Sequence, residues 1–149
     1  MRIRLQIRQS ETEAVRRELE AAGLIVCEDA PYELRETNAA VTFLSVRDRV
    51  GDRVQIPAGS VIFIESYGHN VDVHTTDGTY VSPEPLHRLA AMLDPREFLR
   101  ISNSVIIARR HVRKIRPSLS MKFVLTLSDG TLVDVTRSYY SSFREFFNI

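Results

Sequence analysis

The sequence predicts a mainly β protein, α+β overall: a multi-stranded β domain with short helices, preceded by a small βαβ-like module. Two observations carry this prediction. After residue 54 short apolar runs recur at close spacing, and Asp77-Gly78 and Asp129-Gly130 each sit between runs of strand character. Asp-Gly suits the type I′ turn, whose backbone twist matches two paired strands. Before residue 47, by contrast, a period of two gives way to a helical period and then to apolar runs again.

The elements follow in order. Ile3, Leu5 and Ile7 alternate with Arg2, Arg4, Gln6 and Arg8, the pattern of a half-buried strand. Ser10 and Glu13 form a capping box, after which Val15, Leu19 and Ala22 share one helical face. Gly23 suits the left-handed residue that ends a helix. Leu24-Ile25-Val26-Cys27 predicts a second strand and residues 41–46 a third. So small a unit leaves strand edges open, so residues 1–46 are expected to pack on the rest of the chain or to dimerise. The very polar stretch Arg47-Asp48-Arg49-Val50-Gly51-Asp52-Arg53 predicts a linker over 47–54.

The β domain then occupies residues 55–149. Val61-Ile62-Phe63-Ile64 begins a strand after the turn Pro57-Ala58-Gly59, and Val71 and Val73 alternate with Asn70, Asp72 and His74. Leu86, Leu89, Ala90 and Leu93 make the stripe of a short helix, entered through Ser82-Pro83 and stopped at Asp94-Pro95. Strands are predicted over 104–108, 112–115, 123–127 and 132–135. Tyr139, Phe143 and Phe146 recur at helical spacing, an aromatic stripe suited to core packing.

Composition narrows the function classes. The chain has 149 residues, 44 % hydrophobic and 26 % charged, enough apolar material for a core without staples. A single cysteine, Cys27, excludes an internal disulfide framework and a four-cysteine zinc site. No apolar run approaches the roughly 18 residues of a membrane span, and the alternating amino terminus does not read as a signal peptide. A cytoplasmic protein of a reducing compartment, without a membrane partner, is expected. Cys27 lies in an apolar run, where a buried thiol is the simpler reading than a nucleophile. The four histidines lack metal-ligand spacing and the six glycines form no phosphate-binding loop. No catalytic set, metal, cofactor or small-molecule substrate is predicted.

Charge points elsewhere. The net charge is +1, yet within 96–116 Arg96, Arg100, Arg109, Arg110, Arg113, Lys114 and Arg116 face Glu97 alone. Such a run either attracts an anionic polymer or is a solvated basic face. Inside it, Ser102-Asn103-Ser104 follows Phe98-Leu99-Arg100-Ile101, and short polar side chains beside cations suit phosphate contacts.

These residues carry a resemblance. Ile64-Glu65-Ser66-Tyr67, the stretch 69–75, Asp77-Gly78, the helix at 86–93 and the block Phe98-Leu99-Arg100-Ile101-Ser102-Asn103-Ser104-Val105-Ile106-Ile107 stand in order. With residues 112–115, Asp129-Gly130 and Val135-Thr136-Arg137-Ser138-Tyr139, residues 55–149 resemble the LytTR-type DNA-binding domain. The resemblance implies a bacterial transcription regulator that places loops, not a recognition helix, into major grooves of double-stranded DNA and bends it. It implies base contacts from His69, Asn103 and Arg137, with the Ser104 hydroxyl on phosphate; Arg100, Arg109, Arg113 and Lys114 are further phosphate candidates. Each also has a plainer reading: His69 as a turn residue, Asn103 as a turn stabiliser, Arg137 as a solvated cation.

The sequence departs from the family at Ala108, where many members carry asparagine. Residues 1–50 are too few for the phosphorylation receiver that usually precedes the domain, so a homodimerising module is expected instead. An alternative from another class is a protein-interaction module that restrains another regulator by heteromeric pairing.

Overall fold

The computed structural model describes residues 1–7, 9–36 and 40–149, and the chain divides into two units, Met1–Ala40 and Val41–Ile149. The first unit contains β1 (Arg2–Gln6), α1 (Gln9–Ala21), β2 (Ile25–Val26) and β3 (Tyr32–Arg35). Its sheet has the order β2-β1-β3 and is parallel, with Arg2 opposite Ile25 and Ile3 opposite Tyr32. The expected βαβ unit is therefore present, because parallel neighbours need a crossover such as α1. At the end of α1 the N–H of Leu24 donates to Leu19 and that of Gly23 to Glu20, with Gly23 at φ 87. These two bonds satisfy carbonyls that the last turn would otherwise orphan. Ser10 lies inside the first turn, since α1 begins at Gln9; Arg8 falls outside the described residues. Ile3 is the one buried apolar side chain among the described residues of this unit. Two ion pairs line the sheet: the part-buried Arg4–Glu33 at 3.1 Å, and Arg2–Asp29 at 2.6 Å, which is exposed and adds little to stability.

The third strand of this unit is β3, not the 41–46 segment. That segment is β4 (Phe43–Arg47), which pairs antiparallel with β5 (Arg53–Pro57) in the second unit. Leu44 and Val46 are both buried there, packed with Ile56, Val61 and Val73 of the second unit. The expected linker over 47–54 is accordingly the tip of a hairpin, a turn over 48–52 flanked by paired residues of β4 and β5. The Asp48 carboxylate accepts the N–H groups of Val50 and Asp52, and Gly51 takes φ 90. Its polarity marks an exposed tip rather than a boundary.

The second unit continues with β6 (Val61–Tyr67), β7 (Asn70–Thr75), β8 (Gly78–Val81), α2 (Leu86–Met92), β9 (Phe98–Arg100) and β10 (Val105–Ala108). Then follow β11 (Val112–Ser118), β12 (Lys122–Leu127), β13 (Leu132–Val135) and α3 (Tyr140–Phe147). A seven-stranded antiparallel sheet has the order β5-β4-β8-β7-β6-β10-β9, and β11-β12-β13 form a second sheet. The mainly β class is thus borne out.

Two apolar clusters sit on this framework. In one, Leu44, Val61, Ile64, Val73 and Ile106 pack with Leu86, Leu89 and Leu93 of the α2 region. In the other, Ile62, Phe63, Ile101 and Ile107 pack with Phe123, Leu125 and Phe143. Strands β6 and β10 feed both clusters, which is why their apolar runs are unbroken instead of alternating. Ala90 turns outward. Of the aromatic stripe, Phe143 is buried and Tyr139 packs against the same cluster as expected, but the partly buried Tyr140 and Phe147 of α3, not Phe146, pack there with them.

Both Asp-Gly pairs close hairpins, but not as type I′ turns. Ser120, Met121 and Asn148 are the described non-glycine residues with positive φ, so neither aspartate has it. At the β12–β13 turn, Gly130 (φ 86) donates its N–H to Leu127 and Leu127 donates to Thr131. That is a three-residue loop with a left-handed glycine.

Candidate nucleic-acid interface

Three loops carry the residues singled out in the sequence. The first is the β6–β7 turn. Tyr67 pairs with Asn70, and Gly68 (φ 59) supplies the positive φ that a two-residue turn with glycine in its first central position requires. His69 occupies the second central position, exposed and with no hydrogen bond or ion pair among the described residues.

The second loop joins β9 to β10. Ile101 is fully buried beneath it, and the buried Ser102 hydroxyl accepts the N–H of Ser104 at 3.2 Å. Arg100 donates to the carbonyls of Ser102 (3.2 Å) and Asn103 (2.6 Å), closing the loop over its own guanidinium. Asn103 is exposed at the tip, its Oδ1 accepting the Tyr139 hydroxyl at 3.2 Å. A carbonyl oxygen has two lone pairs, so Oδ1 can still accept another bond while the amide nitrogen keeps its donors.

The third loop leads from β13 into α3. Thr136 donates its N–H to the Ile101 carbonyl at 3.0 Å and accepts the N–H of Tyr139 at 2.9 Å. This fixes the single 3-10 turn Arg137–Tyr139. The Arg137 side chain is exposed and unpaired among the described residues.

Hydrogen bonds join these loops into one rim. Ser66, at the base of the His69 turn, donates its N–H to the Ser104 carbonyl at 2.8 Å. Thr136 and Tyr139 tie the Arg137 turn to the Asn103 loop from the other side. His69, Asn103 and Arg137 therefore sit on neighbouring loops, each with polar atoms facing solvent.

The cations divide differently from their clustering in sequence. Ser104 and Arg100 belong to the Asn103 loop. Arg109 lies at the far end of β10, about 13 Å away at 3.3 Å per residue. Its guanidinium donates to the carbonyls of Arg96 (3.0 Å) and Phe146 (2.6 Å) and stacks 4.0 Å from the Phe146 ring. Arg113 donates to the Arg110 carbonyl, and Arg110 lies 3.8 Å from Glu97. Arg96 pairs with Asp94 at 3.1 Å, and that side-chain bond, with the Arg96 N–H, holds the Asp94 carboxyl below its usual range. Lys114 is exposed without a partner among the described residues. His111, between Arg110 and Arg113, is pushed down from its usual pKa, first by burial and then by those cations.

Sequence reasoning missed Tyr139 as a polar residue, because its place in an aromatic stripe pointed to packing alone. It also missed a cluster on β6 and β7. Glu65, Asp72 and His74 bring three metal-competent atoms within 4.8 Å of one another, since Glu65 and Asp72 meet across one rung of the ladder. His74 Nε2 lies 3.0 Å from Glu65, Nδ1 lies 3.2 Å from the Thr79 hydroxyl, and the ring stacks on Phe63 at 4.1 Å. Those contacts account for its orientation without an ion. No helix among the described residues is long and apolar enough to cross a membrane.

Comparison with known proteins identifies the family of the β domain. The family model described as LytTr DNA-binding domain matches residues 51–148. The transcriptional regulatory protein LytR of Staphylococcus aureus is 29 % identical over 85 residues, 57 % of this chain and 35 % of that protein. The CO-responsive transcriptional regulator RcoM of Rhodospirillum rubrum is 36 % identical over 90 residues, 60 % of this chain and 38 % of that protein. The matched regions thus span little more than a third of these curated relatives. Among solved structures, the LytTr DNA-binding domain of a putative methyl-accepting/DNA response regulator from Bacillus cereus aligns with a TM-score of 0.69 at 23 % identity. It covers 74 % of this chain and 100 % of that one, a likeness of fold.

Proposed function

Because this chain belongs to the LytTr DNA-binding domain family, we propose that it is a bacterial, cytoplasmic transcription regulator that binds double-stranded DNA. It reads major-groove edges through loops and bends the duplex. The observation that carries this reading is the joining of the three loops through Ser66–Ser104, Thr136–Ile101 and Tyr139–Asn103. An arginine fork matches the O6 and N7 of guanine, and a carboxamide matches the N6 and N7 of adenine. Arg137 and Asn103 offer those groups, and His69 offers a third edge-reading side chain. Ser104 and Lys114 take phosphates. Arg100 acts mainly by shaping the Asn103 loop, and Arg109 and Arg113 by holding backbone at the other end of β10.

Affinity then comes largely from cation–phosphate contacts and falls steeply with salt. Selection of bound sequences from random duplex DNA tests the reading. Arg137→Ala is expected to weaken the selected site by about 1–3 kcal/mol relative to scrambled DNA. Undiminished discrimination by the folded variant removes Arg137 from the reading.

The amino-terminal unit supplies a homodimer interface in the same proposal. The outer edge of β3 has no strand partner among the described residues, and open edges pair readily. Sedimentation of the full chain against a chain starting at Val41 is expected to show dimer and monomer. A dimer of the shorter chain moves the interface into the second unit.

A further inference from the structure

Residues 119–121 connect β11 to β12, and they are unlike an ordinary hairpin tip. Leu119 is 88 % exposed and Met121 50 % exposed. Tips in water favour glycine, asparagine and aspartate. Here Ser120 and Met121 hold φ of 64° and 57°, backbone that disfavours any residue with a Cβ. Strain kept together with exposed apolar side chains is characteristic of segments that act on something else.

The surroundings indicate what that is. Lys114, Arg116 and Lys122 are exposed on the same two strands, and their side chains have no hydrogen bond or ion pair among the described residues. Asp134 is the one carboxylate in the three strands of this sheet, and it forms no ion pair with them. Phe123 pairs with Val135, so the chain runs back from that rung to Lys122 and Met121 and onward to Thr136 and Arg137. The tip therefore lies at the same end of the sheet as Arg137.

We propose that the β11–β12 hairpin is an arm on the duplex, with Leu119 and Met121 entering the minor groove and Arg116 and Lys122 holding the flanking phosphates. This rests on the DNA-binding reading above. The grooves alternate across each phosphate ridge, so an element beside a major-groove reader meets phosphate and then minor groove. Leucine and methionine are among the side chains that wedge between base steps there and kink the helix.

The test uses the full chain and a duplex recovered by random-sequence selection, labelled with a donor and an acceptor dye at its ends. Leu119→Ala with Met121→Ala is expected to reduce the protein-induced change in energy transfer by about half or more, and Leu119→Phe to preserve it. Arg116→Ala and Lys122→Ala are each expected to lower the salt slope of binding by about 0.9. All of these side chains are exposed, and thermal unfolding checks that the variants fold. If wild type bends the duplex and the apolar double variant bends it equally, the arm is overturned. Unchanged salt slopes in both charge variants remove its phosphate contacts. If wild type recovers no duplex at all, the underlying DNA-binding reading fails first.

Discussion

The hydroxyl of Tyr139 donates to Oδ1 of Asn103, so a residue from the last aromatic stripe orients the carboxamide at the tip of a loop more than thirty positions earlier. Tyr139→Phe keeps the ring in its place and removes this single bond. It is expected to weaken binding to a selected site by about 0.5–1.5 kcal/mol, the usual worth of one hydrogen bond. Thermal stability should be nearly unchanged, because the hydroxyl is at the surface. Fluorescence anisotropy titration alongside thermal unfolding measures both, and equal affinity would show that Asn103 needs no such support.

Arg109 clasps the end of α3 through the Phe146 carbonyl and ring. Arg109→Ala is expected to cost about 1–3 kcal/mol in urea unfolding, from a charge-assisted hydrogen bond and a cation–π contact. Arg109→Lys should restore only part of it, since an ammonium lacks the planar fork. If instead stability holds and the salt slope of DNA binding drops, Arg109 is a phosphate contact after all.

Ser120 occupies left-handed backbone that glycine adopts without penalty. Ser120→Gly relieves the strain but adds freedom to the unfolded chain, so a net gain of up to about 1 kcal/mol is expected. Chemical denaturation reads this directly. A loss of stability would mean that the hydroxyl, rather than the backbone, decides that position.

His111 should impose a pH dependence on folding. Burial, then Arg113 and Arg110, lower its pKa in the folded chain below the usual 6.5. The unfolded state therefore binds more protons in the window beneath 6.5, and stability falls as pH drops through the folded pKa. Above that window the contribution is fully present. His111→Gln, which can keep the contact with Ser128, is expected to flatten this part of a stability–pH curve. An unaltered slope would assign the dependence to other groups.

Local pattern was enough for much of the scaffold. Alternation marked β1 and β7, and the apolar run at 61–64 marked β6. Gly23 marked the end of α1, and both Asp-Gly pairs marked hairpins. These signals are local because side-chain period, capping and turn chemistry depend on residues a few positions apart. The same locality explains the errors. A polar segment reads alike whether it is a linker or the tip of the β4–β5 hairpin, and periodicity cannot say which sheet β4 joins.

The residue types offered to a duplex, and the family resemblance of the β domain, were written in the order of the amino acids alone. Folding decided which of them stand together. Ser66, Ile101 and Thr136 lie far apart along the chain, and bonds among their neighbourhoods bring the three loops to one rim. Folding also divided a basic run that looks uniform in sequence, engaging Arg100 and Arg109 on backbone carbonyls while leaving the Lys114 side chain free among the described residues. The physical reason is that a side chain's hydrogen-bond partners are set by whatever backbone the packed strands bring within about 3 Å, and spacing along the chain does not encode that distance.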